Sequence, residues 1–398
     1  MKKHQIVVVG AGSAGLAVAA MLMNKRKGLD ICIIDKAEKH YYQPLWTLVG
    51  AGVFPKEETE RDMADYIPFG TTWIKDFVAS FDPDNNKLKT QGGEEIGYDY
   101  LVVAAGIQIN WDEIPGLKEA VGRPETGVVS NYSYETAEST WEAIRNLKSG
   151  TAIFTHNTGP VKCGGAPMKI CFLASDYWRK HGYLKNVNVE LHKGGGIIFG
   201  VPKFAKTLDQ VVDRYGINTV FNSDLIAIDG DNKKATFRDV KTGEETVKSY
   251  DMIHVTPKQG APDFIKNSPL AAENGGWVDV DKYTTQHNKY PNVFSLGDNS
   301  SLPAAKTGAA IRKQAPVTVN NLLAHMEGRE LTEQYDGYSS CPLVTGYGKL
   351  VLAEFDYNNE PKESFPFDQA QERFSMYALK AYALPKMYWH GMLRGREF

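Results

Sequence analysis

The sequence predicts an α/β protein with two doubly wound, Rossmann-like domains and a carboxy-terminal segment that associates with a membrane. Three observations carry this reading. A glycine fingerprint, Gly10-Ala11-Gly12-Ser13-Ala14-Gly15, follows the β-branched run Gln5-Ile6-Val7-Val8-Val9 and leads into an apolar helical stretch. Two later strand-like runs end in small or acidic residues, Leu101-Val102-Val103-Ala104-Ala105-Gly106 and Val293-Phe294-Ser295-Leu296-Gly297-Asp298, as chains do when they return to one cofactor. The chain has 398 residues, 42% of them hydrophobic, which suffices for two or three cored domains. A formal net charge of −3 gives no overall pull toward nucleic acid.

In the first unit, Gln5–Val9 suits a strand buried on both faces. Gly10 permits the tight turn, Gly12 lets a pyrophosphate approach the backbone, and Gly15 lets the helix pack on the strand. The helix N-terminus stabilises the phosphate charge. Asp35 follows the run Ile31-Cys32-Ile33-Ile34, about 20 residues past the last glycine, where a carboxylate accepts ribose hydroxyls and repels the 2′-phosphate of NADP. Lys2 and Lys3 ahead of the uncharged run from Ile6 to Met23 mimic a secretory signal. The glycine spacing and Asp35 fit dinucleotide binding instead, and the same glycines speak against a membrane span.

No second fingerprint opens a helix in the middle of the chain. The corresponding stretch, Thr151-Ala152-Ile153-Phe154-Thr155-His156-Asn157-Thr158-Gly159-Pro160, ends in a proline that removes a phosphate donor. His192-Lys193-Gly194-Gly195-Gly196 has the spacing of a loop. The middle domain is expected to keep the doubly wound fold without a nicotinamide site.

Four cysteines are too few for a disulfide scaffold, and none has zinc spacing, so no metal is expected. Cys32 lies in a buried-strand run and Cys171 in the apolar stretch Ile170-Cys171-Phe172-Leu173-Ala174, which makes both core thiols. Cys163, in Val161-Lys162-Cys163-Gly164-Gly165-Ala166-Pro167-Met168-Lys169, and Cys341, in Ser339-Ser340-Cys341-Pro342-Leu343, are bracketed by Gly, Pro or Ser. That context places both in loops, where chemistry concentrates. A flavin beside such a pair points to thiol or sulfide chemistry that hands electrons to the flavin. His156, His181, His192, His254 and His325 have no partner at metal or triad spacing and take no role.

The runs ending at Gly106 and Asp298 resemble the flavoprotein disulfide reductase superfamily. That resemblance implies FAD, with Asp298 on the ribityl chain and a helix from Lys306 through Arg312 pointing its N-terminus at the ring. More specifically, His40 through Gly52, the Cys163 loop, the stretch from Tyr335 through Thr345, and Pro366-Phe367-Asp368-Gln369 resemble sulfide:quinone oxidoreductase, in the class that includes the mitochondrial enzyme. The similarity runs over essentially the whole chain. It implies an FAD site formed by Gly10, Gly12, Ser13, Ala14, Gly15, Asp35, Gln43, Pro44, Val78, Ala105, Gly106, Asp298, Lys306, Thr307, Gly308 and Ala309. It also implies a Cys163–Cys341 disulfide on one face of the flavin and quinone at the other. Hydrosulfide then opens the disulfide, Cys341 keeps the sulfane sulfur as a persulfide, and Cys163 leaves as the thiolate. Lys162, Lys169 and Lys306 are expected to stabilise anionic sulfur or reduced flavin, with Lys169 and Lys306 joining the cysteines as catalytic residues. Gly164, Gly165 and Ala166 are expected to let the loop approach the flavin ring. Sulfite, a small thiol or a second sulfide accepts the sulfane sulfur.

The tail completes the reading. Apolar residues recur at helical spacing from Arg373 to Tyr382, Pro385 is expected to end that helix, and a second apolar piece runs from Met387 to Leu393. Arg373, Lys380, Lys386, Arg394 and Arg396 outnumber Glu372 and Glu397. This describes an interfacial helix on anionic lipid anchored by Phe374, Tyr377 and Trp389, and a peripheral protein on the cytoplasmic face of the inner membrane. A helix packed on the core or at a homodimer interface is the alternative. Removing the chain from Gln369 onward is expected to spare FAD and the reaction with sulfide while releasing the protein from the membrane.

The domain reading assigns residues 1–110 and 285–325 to the FAD unit, 111–284 to the second unit and 326–398 to the carboxy-terminal segment. Three other functions stay open. A type II NADH:quinone dehydrogenase needs the missing fingerprint and no cysteine pair. A flavocytochrome sulfide dehydrogenase subunit needs a haem partner and a cleavable signal. A non-enzymatic flavin redox sensor has no use for the aromatic tail.

Overall fold

The computed structural model describes residues 1–397. Its first unit is a seven-stranded sheet centred on Lys2–Val9, which pairs in parallel with Ile31–Ile34 on one side and Glu95–Val103 on the other. Thr72–Ile74 extends the sheet beyond Ile31–Ile34, and Val293–Ser295 comes back from late in the chain to pair in parallel with Glu95–Val103. Lys87–Thr90 and Val78–Asp82 complete it as antiparallel strands. Ile6, Val7, Val8, Ile31 and Ile33 are fully buried, as strands covered on both faces must be. The Ser13–Lys25 and Gly308–Met326 helices pack together over this sheet.

The second unit is a five-stranded, all-parallel sheet in the order Val128–Val129, Met252–His254, Gly150–His156, Val187–Lys193, Asn218–Phe221. The Ala166–Lys180 helix covers one face, with Cys171 and Trp178 fully buried. A three-stranded antiparallel sheet, Ser223–Asp229, Lys234–Asp239 and Glu245–Ser249, is appended. The chain crosses between the units through an antiparallel pair, Gln108–Asn110 with Lys258–Gly260. Beyond it, Ile265, Leu270, Val278 and Val280 join the core that holds Val7, Val9 and Val103. The return to the first unit therefore lies just after Gly260 and not near residue 285. Loops and short turns carry this stretch, so no apolar periodicity marked it.

The carboxy-terminal segment is not a separate body. Its hairpin, Ser339–Gly346 with Lys349–Phe355, packs on the Ala166–Lys180 helix, and its tail shares one apolar core with both units. The tail runs as α-helix over Phe374–Ala378, widens to a π turn over Leu379–Ala383, and resumes as α-helix over Leu384–His390. Pro385 therefore does not end the helix. It sits in the first turn after the π segment, where its missing N–H is least needed.

One buried acid ties the hairpin to the approach to the tail. Glu354 is 4% exposed and accepts hydrogen bonds from Tyr338 Oη, from Ser364 N at 2.8 Å and Oγ at 2.7 Å, and from Gln369 Nε2 at 2.8 Å. Glu354→Ala strands these donors and is expected to lower stability by about 3 kcal/mol. Thermal unfolding measures it; an unchanged midpoint would show that solvent replaces the carboxylate freely.

Candidate active site

The cofactor cradle is built from backbone. Gly10 has φ +98, and a Cβ there would lie 2.5 Å from Ala104 O; a Cβ on Gly15 would lie 1.8 Å from Gly10 O. Both glycines are required by the protein's own packing. A Cβ on Gly12, Gly106 or Gly308, by contrast, would meet no protein atom within 4 Å, so these three open onto free space. The Ser13–Lys25 helix has no side-chain cap and no acid in its first turn, which leaves its N–H groups to an anion.

Asp35 receives Ala11 N at 2.7 Å on one oxygen and Ala37 N at 2.8 Å on the other, which fixes the turn and leaves lone pairs for a ribose. Thr307 Oγ caps the Gly308–Met326 helix at Ala310 N, so Gly308 and Ala309 keep free N–H groups. Gly106 N donates to Asn299 Oδ1, while the Asp298 carboxylate accepts no hydrogen bond from any described residue. Burial raises its pKa, opposed by Lys306 and Lys162. A half-buried acceptor in want of donors, three open glycines and two helix starts with free N–H groups fit FAD. The Val78 side chain lies in the core with Phe81 and Leu88, which leaves only its backbone to face a cofactor.

The thiol site lies where the crossover from Gly150–His156 to Val187–Lys193 meets the hairpin. Cys163 precedes the Ala166–Lys180 helix in a left-handed conformation, φ +54, pinned by Cys163 N to Lys306 O at 3.0 Å and Ala166 N to Cys163 O at 2.8 Å. Such strain in a non-glycine residue marks functional turns. Cys341 is buried in the Ser339–Gly346 strand opposite Ala353, not in a loop; Ser and Pro around it sit in a strand whose pairing they do not prevent. Both are thiols in the structure. A Cβ on Gly165 would lie 2.5 Å from Cys341 Sγ, so that glycine serves the approach of Cys341.

Charge is distributed unevenly over the pair. Lys169 Nζ donates to Cys163 Sγ at 2.9 Å, and this lysine is 1% exposed. A hydrogen bond from the Cys341 thiol, helped by Lys169 and opposed by burial, holds the Cys163 thiol well below its ordinary value. The same contact, with burial, pushes Cys341 well above it. Burial acts to lower Lys169, yet the two cysteines hold it above the usual lysine value.

Three residues depart from expectation. Lys306 reaches the cysteine loop through its carbonyl, while its ammonium donates to Asp298 O at 2.6 Å and lies 3.7 Å from the centroid of the Trp277 ring. It contacts neither sulfur. Lys162 Nζ donates to Gln43 Oε1 at 2.6 Å and so ties the Gln43-Pro44 turn to the Cys163 loop.

Lys380, read from sequence as a lipid-facing cation, is 3% exposed and turned inward. Its Nζ donates to Pro44 O at 2.9 Å, and burial, with Lys169 nearby, pushes its pKa down to about 7 while both cysteines raise it. The signal was present: Lys380 shares a helical face with Met376, Tyr377 and Ala381, all buried. Tyr132 carries no local signal in the sequence; its buried hydroxyl has no hydrogen bond of good geometry among the described residues, with Thr256 its nearby polar neighbour, and lies within electrostatic reach of both sulfurs.

The tail corrects further expectations. Tyr377 and Trp389 are buried, Trp389 5.1 Å from the Tyr66 ring, and only Phe374 of the three expected anchors is exposed. Removal of the chain from Gln369 would take Lys380 from the thiols and Tyr388 from Ser13, to which it hydrogen-bonds at 2.7 Å. The tail is thus part of the site and not a detachable anchor.

In the second unit the turn after Gly150–His156, where a dinucleotide phosphate would rest, is already occupied. Asp224 accepts Thr158 N at 2.7 Å and Thr158 Oγ at 2.8 Å, and Lys258 neutralises it at 2.6 Å. A carboxylate of the chain itself stands on the donor a phosphate would use.

Residues 4–320 match the pyridine nucleotide-disulphide oxidoreductase family. The mitochondrial sulfide:quinone oxidoreductase of Dictyostelium discoideum is 51% identical over 396 residues, covering 99% of this chain and 87% of that protein. The mitochondrial sulfide:quinone oxidoreductase of Mus musculus is 43% identical, covering 98% of this chain and 87% of that protein. Among solved structures, the sulfide:quinone oxidoreductase of Aquifex aeolicus superposes with a TM-score of 0.84 over 100% of this chain and 92% of that one, at 20% identity, which speaks to the fold.

Two outcomes are expected. Gly12→Ala should fold normally yet retain less flavin, whereas Gly15→Ala should fail to accumulate as folded protein. Flavin content and circular dichroism of the purified variants check this; equal flavin in Gly12→Ala would place the cofactor elsewhere. Lys380 is charged below about pH 7 and neutral above it. Lys380→Met should therefore suppress alkylation of Cys163 below that pH, moving its midpoint upward by about one pH unit, with the two profiles converging above. Lys380→Arg should keep the wild-type profile at low pH.

Proposed function

This chain belongs to the sulfide:quinone oxidoreductases of the pyridine nucleotide-disulphide oxidoreductase family, and from that premise we propose that it oxidises hydrosulfide at the Cys163–Cys341 pair and delivers two electrons to quinone. The observation that carries this is the Lys169 ammonium on the Cys163 sulfur, with Cys341 beside it.

Hydrosulfide attacks the Cys341 sulfur of a Cys163–Cys341 disulfide. The S–S bond breaks, Cys341 keeps the incoming sulfur as a persulfide, and the electron pair leaves with Cys163. Direction follows from leaving-group acidity: the sulfur with the lower thiol pKa departs faster, and Lys169 and the helix start both favour Cys163 as thiolate. The higher pKa of Cys341 suits the sulfur that stays bonded. A nucleophile such as sulfite, a small thiol or a second hydrosulfide then removes the sulfane sulfur and leaves Cys341 as a thiolate. Closing the disulfide again releases two electrons, and FAD, when bound, supplies the carrier that passes them to quinone. Lys380 holds a second positive charge over the sulfurs below about pH 7. The occupied Thr158 turn supports an electron source other than a nicotinamide.

Quinone is a lipid, and the tail offers it a surface. Phe374 is 69% and Tyr382 54% exposed, with Lys386 also exposed and Phe54 packed edge-on to Tyr382 at 5.9 Å. We place this face on the membrane that holds the quinone, as a peripheral contact. No described helix is long and apolar enough to cross a bilayer.

Cys163→Ser and Cys341→Ser should each reduce sulfide-dependent quinone reduction to background with FAD retained, while Cys171→Ala and Cys32→Ala should turn over normally. Loss of turnover in a folded Cys171 variant would sink the pairing. Anaerobic mixing with sulfide should bleach the flavin and NADH should not; the reverse result would assign the chain to NADH oxidation.

A further inference from the structure

The carboxy-terminal helix reaches the fingerprint through one directed set of hydrogen bonds. His40, in the short Lys39–Tyr41 strand, is 4% exposed and bonds Ala11 O through Nδ1 at 3.2 Å. A carbonyl only accepts, so Nδ1 carries the proton. Burial pushes His40 down to about 4, which keeps the ring neutral and Nε2 an acceptor at ordinary pH. Tyr388 Oη lies 2.5 Å from that nitrogen and must donate to it. The Tyr388 oxygen is then the acceptor for Ser13, whose Oγ lies 2.7 Å away. The direction is fixed from end to end: Ser13 to Tyr388 to His40 to Ala11. Both ends lie on the phosphate turn, so the two outside residues bridge positions 11 and 13 across Gly12.

We propose that Tyr388 and His40 are positioning residues for FAD, stapling the turn so that its N–H groups face the pyrophosphate, and that the last helix is therefore part of the cofactor site. The Ser13 hydroxyl hydrogen is committed to Tyr388, so Ser13 serves the phosphate through its N–H. The Tyr388 ring is held independently of its hydroxyl, 4.6 Å from Tyr42 and edge-on to Trp389 at 5.1 Å. Removal of the hydroxyl thus loosens the turn without unpacking the helix. The inference rests on the FAD assignment and not on the sulfur chemistry.

The test measures FAD release from diluted holoenzyme by the recovery of free-flavin fluorescence, for the wild type, Tyr388→Phe, Ser13→Ala and the double variant. Each single change should speed release about tenfold, and the double should be no faster than either, because all three break one staple. The visible spectrum of bound flavin and thermal unfolding accompany each sample; a merely structural role would lower the melting point and leave release unchanged. Release from folded Tyr388→Phe that is unchanged or slower overturns the proposal, slower release being expected if a freed Ser13 hydroxyl bound phosphate directly. Additive effects in the double variant also overturn it. Should Tyr388→Phe not fold, Ser13→Ala alone decides: about tenfold faster release supports the staple and an unchanged rate refutes it. Wild-type protein that carries no flavin at all would sink the FAD assignment instead.

Discussion

Two buried ammonium groups near the cysteine pair, with no carboxylate beside them, set the character of the site. Lys169 and Lys380 are 1% and 3% exposed, and their hydrogen-bond acceptors are a sulfur and a backbone carbonyl. An unpaired buried charge is costly, and protein interiors supply an anion or neutralise the group. Here both responses occur. Lys169 keeps its proton because Cys163 takes the negative charge, and Lys380, second in line, drifts toward neutrality near physiological pH. The site is preset to hold anionic sulfur, whether thiolate, persulfide or incoming hydrosulfide.

Much of the architecture serves that arrangement. The second unit gives up its nucleotide turn, using Asp224 and Lys258 to satisfy the donors a phosphate would have taken. The loop that follows this occupied turn meets the first unit, where Lys306 O receives Cys163 N. The hairpin brings Cys341 in from the other side, and Gly165 removes the one Cβ that would block it. The Lys306 ammonium is held on Asp298 O and the face of Trp277. Each unit on its own is a dinucleotide-binding fold, and Cys163 and Cys341 meet at their junction with the hairpin.

The sequence was most legible where function is carried by backbone at short range. The fingerprint, Asp35, the strand-end Gly-Asp and the missing second fingerprint are local patterns, and local geometry decides them. Cys163 and Cys341 were recognisable from their surroundings, but the strand that holds Cys341 was not, because Ser-Ser-Cys-Pro reads as a loop until a partner strand is known. Lys380 reads as a lipid-facing cation when tail basicity is counted, and as a buried residue only when it is placed on a helical face. The return after Gly260 was hidden for a related reason: residues 261–284 join the first core through isolated apolar side chains without periodicity. What escaped was tertiary placement.

The tail shows how one helix can serve two environments. Its inner face carries Met376, Tyr377, Lys380, Ala381, Tyr388 and Trp389, and its outer face Phe374, Tyr382 and Lys386. The π turn at Leu379–Ala383 lets the helix pass Pro385 without breaking, so both halves present a buried face. An ordinary break at the proline would have left either Lys380 or Tyr388 without a rigid support. One continuous element therefore brings a charge within electrostatic reach of the thiol pair, touches the phosphate turn and, on the proposed reading, meets the lipid. A change that lifts it from the protein must disturb all three, so the two proposals together couple docking, flavin retention and sulfur chemistry through a single helix and not through the sheet cores beneath it.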